Sequence, residues 1–343
     1  MLTSVRMKRS THSRMPGELA LIEAIRRQAA RVPGSASLRL GMGDDCALLR
    51  PRPGHEICVT TDFTLEDVHF HRDWHPPESV GHRCLTRGLS DLAAMGATPM
   101  AVFLSIALPE RLPPGWVDRF LRGFLALAAL HRAPLAGGDT AASATGKIAA
   151  DIVAIGEVPA GKALLRSGAR PGDVLYVTGA LGGAAAELRQ LSRNPRRLRS
   201  VTAAAPNHPH LYPEPRLEVG RRLRGLAHAA IDVSDGLSTD LTHLCEESGV
   251  AAVLEEALLP IHPLALGNSD ARALALHGGE EYELLFTAGP RMPIPRSIAG
   301  VPIHRIGTIR KRQSGRPLMV LNTGDGRAQP IEAGGWQHFA RNR

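Results

Sequence analysis

The feature that most restricts how this chain can fold is a set of aspartates lodged among small or apolar residues. They lie in Gly43-Asp44-Asp45, Thr60-Thr61-Asp62, Leu89-Ser90-Asp91, Gly137-Gly138-Asp139 and Asp232-Val233-Ser234-Asp235-Gly236. Ordinary surface carboxylates sit among lysines and glutamates, whereas these follow β-branched or Leu/Ala-rich runs such as Ile57-Cys58-Val59. Such runs place acids in turns, at strand ends and at helix starts near the interior. A carboxylate taken out of water needs a partner, and several that converge need cations. Hard divalent ions such as Mg²⁺ take oxygen ligands of this kind and bridge them to phosphates. The fold must therefore gather acids that are far apart in sequence, and the chemistry implied is metal-dependent handling of phosphate. A D-x-D-x-D-G calcium loop is absent, which argues against a structural calcium module.

With 343 residues the chain exceeds the size at which a single core keeps growing, so two domains are expected. Pro159 closes an alternating apolar stretch and marks the boundary: an unstructured lead-in at 1–16, one domain at 17–158 and another at 159–343. No apolar run approaches the roughly 18 residues of a membrane span. The basic start, Met1 to Met15, has no apolar core of a signal peptide. Cys46, Cys58, Cys84 and Cys245 are scattered without a C-x-x-C pair, three of them in apolar settings, which points to buried thiols in a reducing, cytoplasmic setting. The formal charge of +8 raises the question of nucleic acid, but the basic runs at 194–199 and 310–316 are short. Aromatics, at 4%, leave little to stack bases on, so no nucleic-acid partner is expected.

Hydrophobic periodicity predicts helices at 17–32, 80–95, 116–131, 217–226 and 236–248, and another starting at Gly182-Gly183. Strands are predicted to end at Asp62 and to span 100–108, 147–158, 173–179 and 229–232, with 191–213 a mobile surface connection. Strands and helices mix without strict βαβ repetition, so both halves read as α+β. Asp232 to Gly236 falls between a strand and a helix, where carboxylates meet orphan backbone N–H groups and can hold both a cation and a phosphate. Other phosphate signatures are missing: Gly146-Lys147 lacks the upstream glycine of a P-loop, and no G-x-G-x-x-G follows a strand. A nucleotide would have to be held mainly through metal ions, with Thr60, Thr61, Ser90 and Ser234 adding oxygens. Asp44 reads as a turn-former supporting Asp45.

Six segments together carry a resemblance. They are 41–47, Thr60-Thr61-Asp62 with Val68-His69-Phe70, 89–97, Gly137-Gly138-Asp139-Thr140, 231–237 and Gly278-Gly279-Glu280-Glu281-Tyr282-Glu283. In this order they resemble the thiamine-monophosphate kinase family. The wider superfamily, with aminoimidazole ribonucleotide synthetase and selenophosphate synthetase, shares the acidic logic but not the whole string. The resemblance implies a homodimer in which the N-terminal sheet pairs across the dimer, with the nucleotide in a cleft near the interface. It implies ATP-dependent phosphorylation of thiamine monophosphate to thiamine diphosphate, with several Mg²⁺ ions and K⁺ as a candidate further cation. By motif match Asp45, Thr60, Thr61, Asp62, Asp91, Asp139, Asp232 and Asp235 would ligate magnesium, and Asp62, Asp91 and Asp232 would act catalytically through it. Gly138, Asp139, Arg166 and Ser234 would contact ATP; His69, Glu280 and Trp336 would face the thiamine phosphate.

An acceptor phosphate with a second pKa near ~6 is already largely ionised at neutral pH, so no general base is needed. The absence of a catalytic histidine constellation agrees with that. The chain departs from the family pattern at Asp67, Gly88, Tyr212 and Glu281. Two alternatives stay open at this level: a superfamily kinase with another acceptor, and a nucleotide-binding regulatory dimer without turnover.

Overall fold

Alternating side chains from Ile57 onward make a strand. In the computed structural model, which describes residues 13–14, 17–195, 201–205, 208–337 and 339, that strand spans His55–Leu65. It forms the edge of a four-stranded sheet, followed in order by Ala149–Pro159, Thr98–Leu108 and Leu135–Ala142. The pairs are antiparallel except Thr98–Leu108 with Leu135–Ala142. That parallel pair is joined through helix Trp116–His131, the crossover that parallel strands require. Asp62 sits opposite Ile152, and pairing continues to Leu65 opposite Ala149, so it lies inside the strand instead of at its end. Asp139 likewise lies within a strand, opposite Ser105, and not in a turn. The strand expected at 147–158 includes Pro159 itself, which pairs with His55 at the sheet edge.

Helix Pro77–Ala94 starts earlier than the periodicity predicts, with proline in its first turn beside Glu78, both suited to a helix start. It is buried along almost its whole length because one side lies on the sheet, another on Trp116–His131, and a third on helix Leu217–Leu223 of the second half. Close approach to the neighbouring helix depends on glycine. A Cβ on Gly81 would meet the Phe120 carbonyl oxygen at 2.0 Å, and one on Gly123 would meet that of Glu78 at 1.9 Å. Gly88 faces the sheet, and a Cβ there would lie 2.9 Å from Ala154 Cβ, so a larger side chain has no room here without a shift.

In the second half eight strands form one sheet. Its order is Ala229–Val233, Glu283–Ala288, Val174–Thr178, Val301–Lys311, Val250–Glu255, Met319–Asn322 and Ala328–Ile331, with Ser297–Ile298 added to Val301–Lys311. Helices Gly183–Arg193 and Leu237–Ser248 follow strands of this sheet. Its core gathers Leu175, Val177, Ile231, Leu241, Leu254 and Leu285, whereas Leu217, Leu223, Leu284 and Phe286 join the core of the first half. The two halves thus share apolar packing. Both are mixed α and β, as expected.

Two expectations are corrected. The segment expected as a mobile surface connection at 191–213 contains the end of helix Gly183–Arg193 and buried His210 and Leu211; residues 196–200 and 206–207 lie outside the described residues. The backbone N–H groups of His210 and Leu211 donate to Glu187, which ties this stretch to the helix. Of the lead-in expected to be unstructured, Ser13–Arg14 pairs with Arg111–Leu112, and the rest up to residue 16 lies outside the described residues.

Candidate active site

Where the two halves meet, a cavity of about 370 Å³ is lined by Asp62, His69, Arg87, Asp91, Asp232, Ser234, Asp235, Glu280, Tyr282 and Trp336, with His210 and small apolar residues. Three local rules aim these side chains. Alternation along His55–Leu65 sends Thr60 and Asp62 to the face that meets helix Pro77–Ala94, and on that helix Arg83, Arg87 and Asp91 recur every four residues along one face. The third is an interlocked pair of turns. The N–H groups of Glu280 and Tyr282 donate to the carbonyls of Ser234 and Val233 at 2.7 and 2.9 Å. A Cβ on Gly279 would meet the Ser234 oxygen at 2.7 Å, and one on Gly236 the His277 carbonyl at 2.8 Å. Glycine at both places lets the two acidic segments close on each other. Glu280 and Tyr282 themselves are left-handed, with φ of 63° and 54°, a strained state for side chains that the packing holds in place.

The acids repel one another. Burial first, then the charge of Asp91, pushes Asp62 up to about 7, with Arg87 pulling the other way. Burial and Asp91 likewise push Asp232 up to about 7, against a hydrogen bond from Ser90 Oγ at 2.6 Å. Asp91 is raised by burial too, opposed by a hydrogen bond from Thr60 Oγ1 and by the guanidinium groups of Arg166 and Arg87. Asp240 on the helix behind is raised to about 8 by burial, then by Asp232 and Asp235, while accepting from the Asp235 and Gly236 N–H groups. Buried acids held in this state suit a site that gains cations, and their hard oxygens suit Mg²⁺. Among the described residues no three His, Cys, Asp or Glu groups stand close enough to enclose an ion; Asp91 and Asp232 are turned to Thr60 and Ser90.

At the other end of the cavity Glu280 accepts from Arg83 Nη2 at 2.5 and 2.6 Å and from Arg87 Nη2 at 2.8 Å. His210 Nδ1 lies 3.2 Å away. Behind it, His210 Nε2 is 2.9 Å from His75 Nε2, and His75 Nδ1 accepts from the His71 N–H at 3.1 Å. His75 Nδ1 also lies 3.2 Å from the His71 carbonyl oxygen. Burial and the charge of Arg83 lower both histidines, His75 to about 2, so the pair is neutral. His69 Nδ1 accepts from the Leu65 N–H at 3.0 Å, which leaves its protonated nitrogen as a donor. Trp336 is half exposed and its backbone N–H donates to the Asp235 carbonyl at 2.9 Å, tying the C-terminal segment to the cavity.

The cavity therefore collects Asp62, Asp91, Asp232, Asp235, Ser234, His69, Glu280 and Trp336, with Thr60 bonded to Asp91 and the charge of Arg166 acting on Asp91 and Asp232. The hydroxyl of Thr61 points the other way and donates to Asp151 Oδ1 at 3.0 Å, as alternation requires. Asp45, Gly138 and Asp139 line a second cavity of about 720 Å³ with Asp44, Arg26, Phe103 and Ser105. The single closing cluster expected from the sequence is thus divided between two cavities, because Asp139, Ser105 and Asp151 share a row on the outer sheet face. Asp44 Oδ1 accepts from the Asp45 N–H, consistent with its reading as a turn-former. Arg83, Arg87, Asp151, His210 and Asp240 were not singled out in the sequence. The four-residue spacing of Arg83, Arg87 and Asp91 was available as a signal; the approach of His210 was not.

Comparison with known proteins agrees with this architecture. Residues 43–158 match the family described as AIR synthase related protein, N-terminal domain, and residues 170–292 match its C-terminal domain, which sets the class of protein. A thiamine-monophosphate kinase of Bacillus subtilis (strain 168) is 35% identical over 312 residues, 89% of this chain and 94% of that protein. The crystal structure of thiamine-monophosphate kinase from Stenotrophomonas maltophilia K279a superposes with a TM-score of 0.77 at 38% identity, covering 94% of this chain and 99% of that one. AaThiL complexed with AMPPCP and TMP superposes at 0.72 with 29% identity, covering 94% and 97%. The chain belongs to the thiamine-monophosphate kinase family.

Proposed function

We propose that this protein transfers the terminal phosphoryl group of ATP directly, in line, to thiamine monophosphate, giving thiamine diphosphate and ADP. One observation carries the reading: Asp62 and Asp91 from the first half and Asp232 and Asp235 from the second meet in one cavity that Glu280, His69 and Trp336 also line. Family membership supports it, as does a relative solved with AMPPCP and TMP.

In this reading the chain holds Mg²⁺ through Asp62, Asp91, Asp232 and Asp235 with Thr60, and at the adjoining sheet face through Asp45, Asp139 and Thr61. Magnesium bound there neutralises phosphate charge and fixes the in-line geometry. Gly138, Asp139, Arg166 and Ser234 hold the nucleotide, and Arg166, which faces Asp91 and Asp232, adds positive charge where phosphate charge concentrates. Glu280, its carboxylate held by Arg83 and Arg87, and His69 line the place of the acceptor, and Trp336 offers a π-face worth about 0.5–2 kcal/mol against a cation. No residue need remove a proton, because the attacking oxygen is already ionised. The active unit is a homodimer formed through the N-terminal sheet, in the cytoplasm, where Cys46, Cys58, Cys84 and Cys245 stay free thiols. Residues 17–158 and 159–343 act as the two domains, and K⁺ is included as a candidate cation.

The test is direct. Purified protein incubated with Mg²⁺, K⁺, ATP and thiamine monophosphate should form thiamine diphosphate and ADP, resolved by chromatography. Asp91→Asn should lower kcat about a hundredfold, the scale of removing one charge-stabilising group from a transition state. No product from the wild type rejects the activity; product formation unchanged by Asp91→Asn rejects the metal assignment.

A further inference from the structure

The helical face that carries Asp91 into the cavity also carries two guanidinium groups, at Arg83 and Arg87. Both pair with the same carboxylate, Glu280. The two arginines differ in access. Arg83 keeps 3% of its side-chain surface exposed and spans both oxygens of Glu280 from one nitrogen, whereas Arg87 keeps 15% and lines the cavity. Arg87 gives Glu280 a single bond at 2.8 Å, and the Nε of both arginines is buried without a hydrogen-bond partner. A guanidinium carries five N–H donors in a rigid fork. A buried donor left unmade is unfavourable unless a ligand supplies the acceptor. On its other side the charge of Arg87 reaches Asp62 and Asp91.

We infer that Arg87 is the ligand of the acceptor's own phosphate, the monoester dianion that attacks ATP. The inference rests on the proposed function and adds a residue to it. A phosphate monoester bound here has its organic part toward Glu280 and Trp336 and its oxygens toward the acids that hold metal, and Arg87 lies between those two groups. A phosphate matches the guanidinium fork and can accept from the donors that Glu280 does not use. Arg83 remains the anchor of the Glu280 carboxylate.

Binding of thiamine monophosphate and of thiamine, measured by calorimetry without nucleotide on the wild type, Arg87→Met and Arg87→Lys, separates the possibilities. The wild type should prefer the monophosphate. Arg87→Met should weaken the monophosphate by about tenfold or more, leave thiamine unchanged, and leave KM for Mg-ATP near the wild-type value. Arg87→Lys keeps the charge without the fork and should fall between. Equal losses for both ligands, or no loss, overturn the assignment; if Arg87→Met does not fold, the Lys variant decides by the same comparison. A wild type that makes no thiamine diphosphate rejects the proposed function, whereas an active wild type with undiminished phosphate preference in the Arg87 variants rejects this assignment alone.

Discussion

Glu280 and Glu281 are neighbours with opposite ionisation. Burial opposes ionisation of Glu280, but Arg83, then His210 and Arg87, hold it well below the usual carboxylate range. Glu281 faces the other way, buried, with the Ala184 N–H at 3.2 Å as its donor, and burial together with the charges of Glu283 and Glu280 holds it well above that range. The same two adjacent carboxyl groups are thus shifted in opposite directions by their surroundings. Because its folded-state pKa is raised, Glu281 binds a proton in the native state that the unfolded chain releases. Its contribution is whole below about pH 4.5, the ordinary value, and is lost as pH rises through the folded pKa, with a slope of up to about 1.4 kcal/mol per pH unit. Glu281→Gln keeps the shape and cannot ionise. Urea unfolding should show the variant more stable than wild type at pH 8 and equal to it at pH 4; no difference at pH 8 would mean the carboxyl is ionised in the native state.

Helix Pro77–Ala94 supplies Arg83, Arg87 and Asp91, so its position sets the site. Its seat against Trp116–His131 depends on Gly81 and Gly123, whose absent side chains admit backbone oxygens from the opposite helix. Gly123→Ala gains about 1 kcal/mol in helix preference but sets a methyl against the Glu78 carbonyl. The helices must separate, at a net cost of about 1–3 kcal/mol. A thermal melt should show the loss, and turnover should fall with it because three site residues ride on the displaced helix; a variant as stable and active as wild type would show that the contact relaxes freely. The periodicity of this helix was legible, but not its start, nor the strand residues beyond Asp62. Local pattern marks which face is apolar, whereas the extent of an element is set by the neighbour that completes its hydrogen bonds.

At the scale of the molecule, the outer face of the N-terminal sheet is unfinished. Ile57, Val59 and Phe63 are 51, 62 and 61% exposed along the edge strand, next to half-buried Val153, Ile155 and Phe103. A contiguous apolar face of this kind on a single chain marks an interaction surface, and a second copy of the same sheet completes it in the proposed homodimer. Val59→Arg, away from the cavity, should shift the protein from dimer to monomer in light scattering coupled to gel filtration; a wild type that is monomeric rejects the dimer. The sequence by itself determined the family, the mixed α and β character and the identity of the acidic motifs, because these depend on residue type and local spacing. Tertiary structure decided which acids meet: alternation and register send Asp62 inward and Thr61, Asp139 and Asp151 outward. It alone brought His210 and Glu280 to Arg83 and Arg87, since partners that pair across roughly two hundred residues leave no mark in the spacing of either segment.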